Sequence, residues 1–186
     1  MRPSATLTKA LNIGAFDISA IIAIGVLVAV CQYLPTVARM IESLCVAVLA
    51  GNAWLSPVDR ADRMQTCRAV AAAAIDGGIE PATLVAVAYV ESGMKANAVS
   101  KAGAVGPLQV LPRYFCPKRG ACAHIAAGVR AFKAWRSRSK TLSETLCKYN
   151  AGFKCGRAGR GYARRVLRVR RSIVAASSQT QNNSSK

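Results

Sequence analysis

The chain has 186 residues, 52% of them apolar, and carries 26 Lys/Arg against 8 Asp/Glu, a formal net charge of +18. That length has room for one domain of ordinary size plus appendages. The charge is also localised: residues 1–112 hold eight Lys/Arg and seven Asp/Glu, a net of +1, whereas 113–171 hold seventeen against Glu144 alone, a net of +16. A field so concentrated is expected to meet a polyanion, with nucleic acid, anionic lipid headgroups and acidic cell-wall polymers all open on charge alone.

Between Asp17 and Arg39 there are 21 residues without a charge, and 18–34 are apolar except for Ser19 and Gln32. That is long enough to span a bilayer, so residues 1–55 are expected to form a membrane anchor (span about 18–34) and a linker. Pro35 is expected to end the helix near Leu34. A cleaved signal peptide is the alternative, with small-residue patterns at Val48-Leu49-Ala50 and Gly51-Asn52-Ala53. Against it, the apolar run exceeds an ordinary signal core, and Arg39 and Glu42 interrupt the path to those sites. Arg2 and Lys9 precede the span while Arg39 and Glu42 nearly cancel after it, which predicts the N-terminus inside and the bulk outside. The expected location is therefore the inner membrane, single-pass, with the remainder on the periplasmic or outer side.

Residues 56–174 read as one all-α domain without repeats or strand-rich stretches. Ser56-Pro57-Val58-Asp59 is a helix start, with Ser as cap and Pro in the first turn. An Ala-rich helix follows over 61–75 and stops at Gly77-Gly78. Glu80-Pro81 opens a second helix carrying Leu84, Val85, Val87, Ala88 and Val90, and it runs into Glu91-Ser92-Gly93. A Gly/Ala/Ser/Asn-rich loop occupies 93–106. Ile125, Val129, Phe132 and Trp135 recur at helical spacing over 124–136, and a further helix is expected over 143–149, stopped by Asn150-Ala151-Gly152. A basic helix follows over 162–174, with Arg164, Arg165 and Arg168 on one face and Val166, Val169 and Ile173 on the other. Residues 175–186 are expected to be a disordered polar tail.

Glu91 closes an almost wholly apolar helix, where desolvation would lift its pKa towards that of a general acid. Around it, three stretches resemble the lytic transglycosylase family, related in fold to goose-type lysozymes. They are Glu91-Ser92-Gly93-Met94 with Ala98 and Ser100 beyond, Gly103-Ala104-Val105-Gly106-Pro107-Leu108-Gln109-Val110, and Tyr149-Asn150-Ala151-Gly152 followed by Tyr162. The likeness spans about 56–170. Pro107-Leu108 replaces the family's usual Leu-Met, and Cys147-Lys148 precedes Tyr149 where small apolar residues are common.

The resemblance implies a lysozyme-like, peptidoglycan-cleaving domain that uses no cofactor or metal. Glu91 would be its catalytic acid and base, with Ser92, Gln109, Tyr149, Asn150 and Tyr162 binding or positioning the substrate. Cleaving a β-1,4 glycosidic bond usually takes two carboxylates. Between Pro81 and Arg171 only Glu91 and Glu144 are present, and Glu144 falls on a polar stretch read as surface. A one-carboxylate mechanism is therefore expected, in which the substrate's N-acetyl group is the nucleophile and the product ends in a 1,6-anhydro sugar. A lysozyme-type hydrolase on the same fold and a membrane-tethered basic nucleic-acid module are the alternatives, although no specific nucleic acid is expected as partner. Expected partners are glycan strands, the membrane, and a phage virion or envelope-spanning complex.

Of seven cysteines, Cys116 and Cys122 bracket one short segment and Cys147 and Cys155 another. Two local disulfides are expected, with Cys67 left over. A zinc site from Cys116, Cys122 and His124 competes, although the spacing lacks the paired pattern of structural zinc sites.

Overall fold

A computed structural model describes the backbone of residues 18–117 and 121–183, and the side chains of 34–117 and 121–179. Its elements are α1 (Ile18–Leu49), α2 (Pro57–Asp76), α3 (Pro81–Ser92), α4 (Pro112–Phe115), α5 (His124–Arg136), α6 (Leu142–Ala151) and α7 (Arg157–Asn183). Isolated bridges, Val99 with Val105 and Val105 with Val110, are the only extended pairing among the described residues. The fold is all-α, as expected.

The chain divides into two units after Val37. The membrane span expected over 18–34 lies outside the described side chains, and among the described residues no helix is long and apolar enough to cross a membrane. The expected end at Pro35 is not observed: α1 continues through the proline to Leu49. Burial holds the later part. Leu44, Cys45, Val48 and Leu49 recur at helical spacing and all enter the main core. Each such side chain contributes about 1.5–3 kcal/mol when fully buried. Residues 38–49 therefore belong to the domain and not to a linker.

α2 starts where Ser56 predicts, its Oγ accepting from the Asp59 N–H at 3.1 Å. α3 is the central element. Residues 82–88 are buried in unbroken succession, which a helix tolerates only when it is covered on every side. α2 and α7 cover it, and α7 also packs on α6. A bidentate ion pair from Arg170 to Glu80 (Nε–Oε2 2.6 Å, Nη2–Oε1 2.5 Å) fastens α7 to the start of α3.

The described part of the stretch expected as a disordered tail is helix. α7 begins at Arg157 and runs to Asn183, because nothing after Gly161 breaks a helix until the end of the chain. Val166, Ile173 and Ser177 are buried along it. α4 is a turn of helix that the periodicity did not announce.

Candidate active site

Glu91 is delivered by the last turn of α3, and that turn is held from several directions. Gly93 adopts a left-handed conformation (φ 62°), and its N–H donates to the Tyr89 carbonyl, ending the helix. Arg63 from α2 donates to the Gly93 carbonyl at 2.9 Å. Ser92 Oγ lies 3.1 Å from the Ala88 carbonyl and 3.0 Å from that of Pro107, so it ties the helix to the following loop. These bonds fix where the preceding side chain, Glu91, can point.

Burial is the dominant influence on the Glu91 carboxyl. It lifts the pKa from 4.5 to about 7, against lesser lowering by the Tyr162 hydroxyl and the Arg165 guanidinium. The charge that acts on Glu91 is thus a cation, and no second carboxylate contributes. An acid poised near neutrality can both give and take a proton at working pH.

The two tyrosines are its neighbours. Burial and then the charge of Glu91 raise both phenols well above their ordinary value. Tyr149 donates from its hydroxyl to the Leu108 carbonyl at 2.6 Å and packs against Phe132, with ring centroids 6.2 Å apart. Tyr162 is 2% exposed, and its hydroxyl makes no hydrogen bond of ordinary geometry. It nevertheless lies close enough to Glu91 for each to shift the other's titration.

The other residues singled out from the sequence are placed as follows. Gln109 does not offer its amide nitrogen to the cleft: with φ at 46°, its Nε2 donates to the carbonyls of Gly106 (2.8 Å) and Ala98 (3.2 Å). It closes the 98–109 loop from within. Ser92 is likewise committed to backbone carbonyls. Asn150 stands exposed at the end of α6. Glu144 serves α6 and not Glu91. It accepts from the Lys140 N–H at 2.8 Å, pairs with Lys148 at 2.7 Å, and its own N–H donates to Thr141 Oγ1.

Disulfides join Cys116 to Cys122 and Cys147 to Cys155. The first takes up both thiols that a zinc site would need. Cys67 is not left over, because it is bonded to Cys45 of α1. His124 instead backs Gly106, whose φ is +75° and whose added Cβ would meet His124 Cβ at 2.5 Å.

Two cavities flank this turn. One of about 770 Å³ is lined by α2 residues such as Asp62 and Arg63, by 94–97, and by Pro107 and His124. The other, of about 460 Å³, is lined by Asn52, Trp54, Arg63, Val90, Gly93, Arg165 and Arg168 among others. Glu91 itself lines neither, and Arg63 borders both. Sequence reasoning missed Arg63, Arg165, Asn52 and Trp54. Arg165 was within reach, since it follows Tyr162 by three residues on one helix. The rest gather only through tertiary packing.

Residues 68–166, more than half of the chain, match the family model described as Transglycosylase SLT domain. No curated protein and no solved structure matches the chain.

Proposed function

Because the chain belongs to the transglycosylase SLT family, whose activity is on peptidoglycan, we propose that it cleaves the β-1,4 bond between N-acetylmuramic acid and N-acetylglucosamine with a single carboxylate. What supports this reading is Glu91 itself, buried at the end of α3 so that its pKa is lifted to about 7, with Glu144, the other carboxylate between 81 and 171, engaged by Lys140 and Lys148. In the first step Glu91 gives its proton to the glycosidic oxygen. The C1–O bond breaks, and the N-acetyl carbonyl oxygen of the same sugar bonds to C1. In the second step the Glu91 carboxylate takes the proton of the C6 hydroxyl. O6 then bonds to C1 and displaces the acetyl oxygen. Glu91 ends protonated, and no water is consumed.

Tyr162, buried beside Glu91, supplies a donor to the acetamido group or to the Glu91 carboxylate once it has lost its proton. Tyr149 and Asn150 would contact the acetamido group, and Gln109 and Ser92 hold the loop that follows Glu91. The domain acts on the periplasmic or outer side, carried on the apolar segment 18–34. Three disulfides support an oxidising compartment. Its task is a local opening of the wall, for phage entry or for an envelope-spanning machine.

Digestion of purified peptidoglycan, followed by mass analysis of the fragments, tests the mechanism. The ends should be 1,6-anhydro sugars, about 18 Da lighter than reducing ends because no water is added. Glu144→Gln should keep most activity. Reducing ends, with activity lost in Glu144→Gln, would make the domain a two-carboxylate hydrolase.

A further inference from the structure

The smaller cavity beside Glu91 is built for an anion. Arg165 and Arg168 stand three residues apart on α7, and Arg63 reaches the same cavity from α2. Among the described residues none of the three is in a salt bridge; those join Arg68 to Glu42, Lys148 to Glu144 and Arg170 to Glu80. Arg63 and Arg165 are oriented by neutral groups. Arg63 donates to the Gly93 carbonyl and sits 5.6 Å above the Trp54 ring, while Arg165 sits 5.9 Å above that of Tyr162. Trp54 is 73% exposed, an unusual position for so large an apolar surface unless something stacks on it. The segment that carries it is fixed: Arg60 donates to the Asn52 carbonyl at 2.8 Å, and the Asn52 amide donates to the Tyr89 hydroxyl at 3.3 Å.

The cavity also touches the chemistry. Val90 and Gly93 in its wall bracket Glu91, and the Arg165 charge reaches the Glu91 carboxyl. Asn52, Trp54 and Arg63 precede the stretch matched by the family, and Arg168 and Val169 follow it. Those five residues lie outside the matched stretch, whereas Arg165 lies within it.

We infer that the cavity is a subsite for the acidic peptide carried on the lactyl group of the muramoyl sugar, and that Arg63, Arg165 and Arg168 bind its carboxylates while Trp54 packs on its apolar part. The occupant follows from chemistry. Within a glycan strand the sugar rings are neutral, the lactyl acid is tied up in its amide to the peptide, and the carboxylates are those of the peptide, attached next to the bond that Glu91 would cleave. Guanidinium forks match carboxylates in geometry as well as in charge. The subsite rests on the transglycosylase reading and makes the enzyme selective for glycan whose peptide keeps its carboxylates over glycan whose peptide is amidated.

The test uses the full chain as Glu91→Gln, so that binding is read without cleavage. Calorimetry compares three probes: a disaccharide-peptide, the same compound with its carboxylates amidated, and the disaccharide without peptide, its lactyl acid capped as the methylamide. The acidic probe should bind about tenfold more tightly than either of the others, the lower end of what a charge-assisted bond supplies at a partly open site. Adding Arg168→Gln should remove that difference. Arg171→Gln, an equal loss of charge on an exposed position of the same helix, should preserve it. Equal binding of all three probes, or equal losses from Arg168→Gln and Arg171→Gln, overturns the subsite. Cleavage is scored separately on the unmutated chain. Failure there overturns the transglycosylase reading, whereas the binding comparison decides the subsite by itself.

Discussion

Replacing Glu91 with Gln should abolish activity and, above neutral pH, make the protein more stable. Burial lifts the carboxyl from 4.5 to about 7. Below the lower value the acid is protonated in both the folded and the unfolded chain, and the pKa difference has no effect on stability. As the pH rises past it, the unfolded chain ionises while the folded one keeps its proton, so the folded state loses ground. The loss is complete once the folded group has also ionised, above about pH 7. A tenfold change in proton affinity is worth about 1.36 kcal/mol, so the whole loss is about 3 kcal/mol. Gln cannot ionise and escapes it. Urea unfolding of both proteins at pH 4, 6 and 8 reads the effect directly. The gap between the two should open with pH, to about 3 kcal/mol at pH 8 beyond whatever gap exists at pH 4. General acid–base catalysis is worth about 10²–10⁴-fold, and the same variant should lose at least that lower factor in lysis of wall substrate. A gap independent of pH would mean that the carboxyl is not desolvated. A Gln variant lysing within a few-fold of the parent would remove Glu91 from the chemistry.

Arg165→Gln removes a cation that holds the Glu91 pKa down, so the alkaline limb of the pH–kcat profile should move to higher pH; an unmoved limb would show that this charge does not reach the acid. Gly106→Ala should destabilise the fold by about 2–4 kcal/mol in denaturant unfolding, because it adds left-handed strain to a contact with His124; a loss under about 0.5 kcal/mol, ordinary for a surface change, would contradict the close approach. Cys45→Ser with Cys67→Ser should cost about 3 kcal/mol, the loop-closure value for a sequence separation of 22. Without reductant, Cys45 and Cys67 of the parent should resist alkylation, and free labelling of both would refute the bond.

What could be read from the sequence was whatever short-range chemistry decides. Ser56-Pro57 and Glu80-Pro81 mark helix starts through local geometry, and both helices begin at those prolines. The apolar run before Glu91 announces a buried acid without any knowledge of its neighbours. Long-range packing settled the rest. Pro35 is a helix breaker by local rules, yet the residues after it fill a core built from α2, α3 and α7. Cys45 and Cys67 lie on helices whose proximity no spacing reveals. Gln109 and Ser92 look like substrate ligands by position in their motifs, but their hydrogen bonds go to the carbonyls of Ala98, Gly106, Ala88 and Pro107. Asn52 and Trp54 reach the site through the bonds of their segment, Arg60 to the Asn52 carbonyl and the Asn52 amide to the Tyr89 hydroxyl, and no local pattern encodes those.

The Cys45–Cys67 bond sets a rule for anyone trimming this protein. A fragment cut at residue 55, the natural place to shed an apolar leader, would strand Cys67 as a lone thiol. It would also strip Leu44, Val48 and Leu49 from the core, leaving a greasy trench along α2 and α7 and a sticky, self-associating product. The same cut would remove Asn52 and Trp54, so whatever that fragment digested would report on a blunted enzyme. A cut at Ala38, where the compact unit begins, keeps the clasp, the lining and the aromatic ring together.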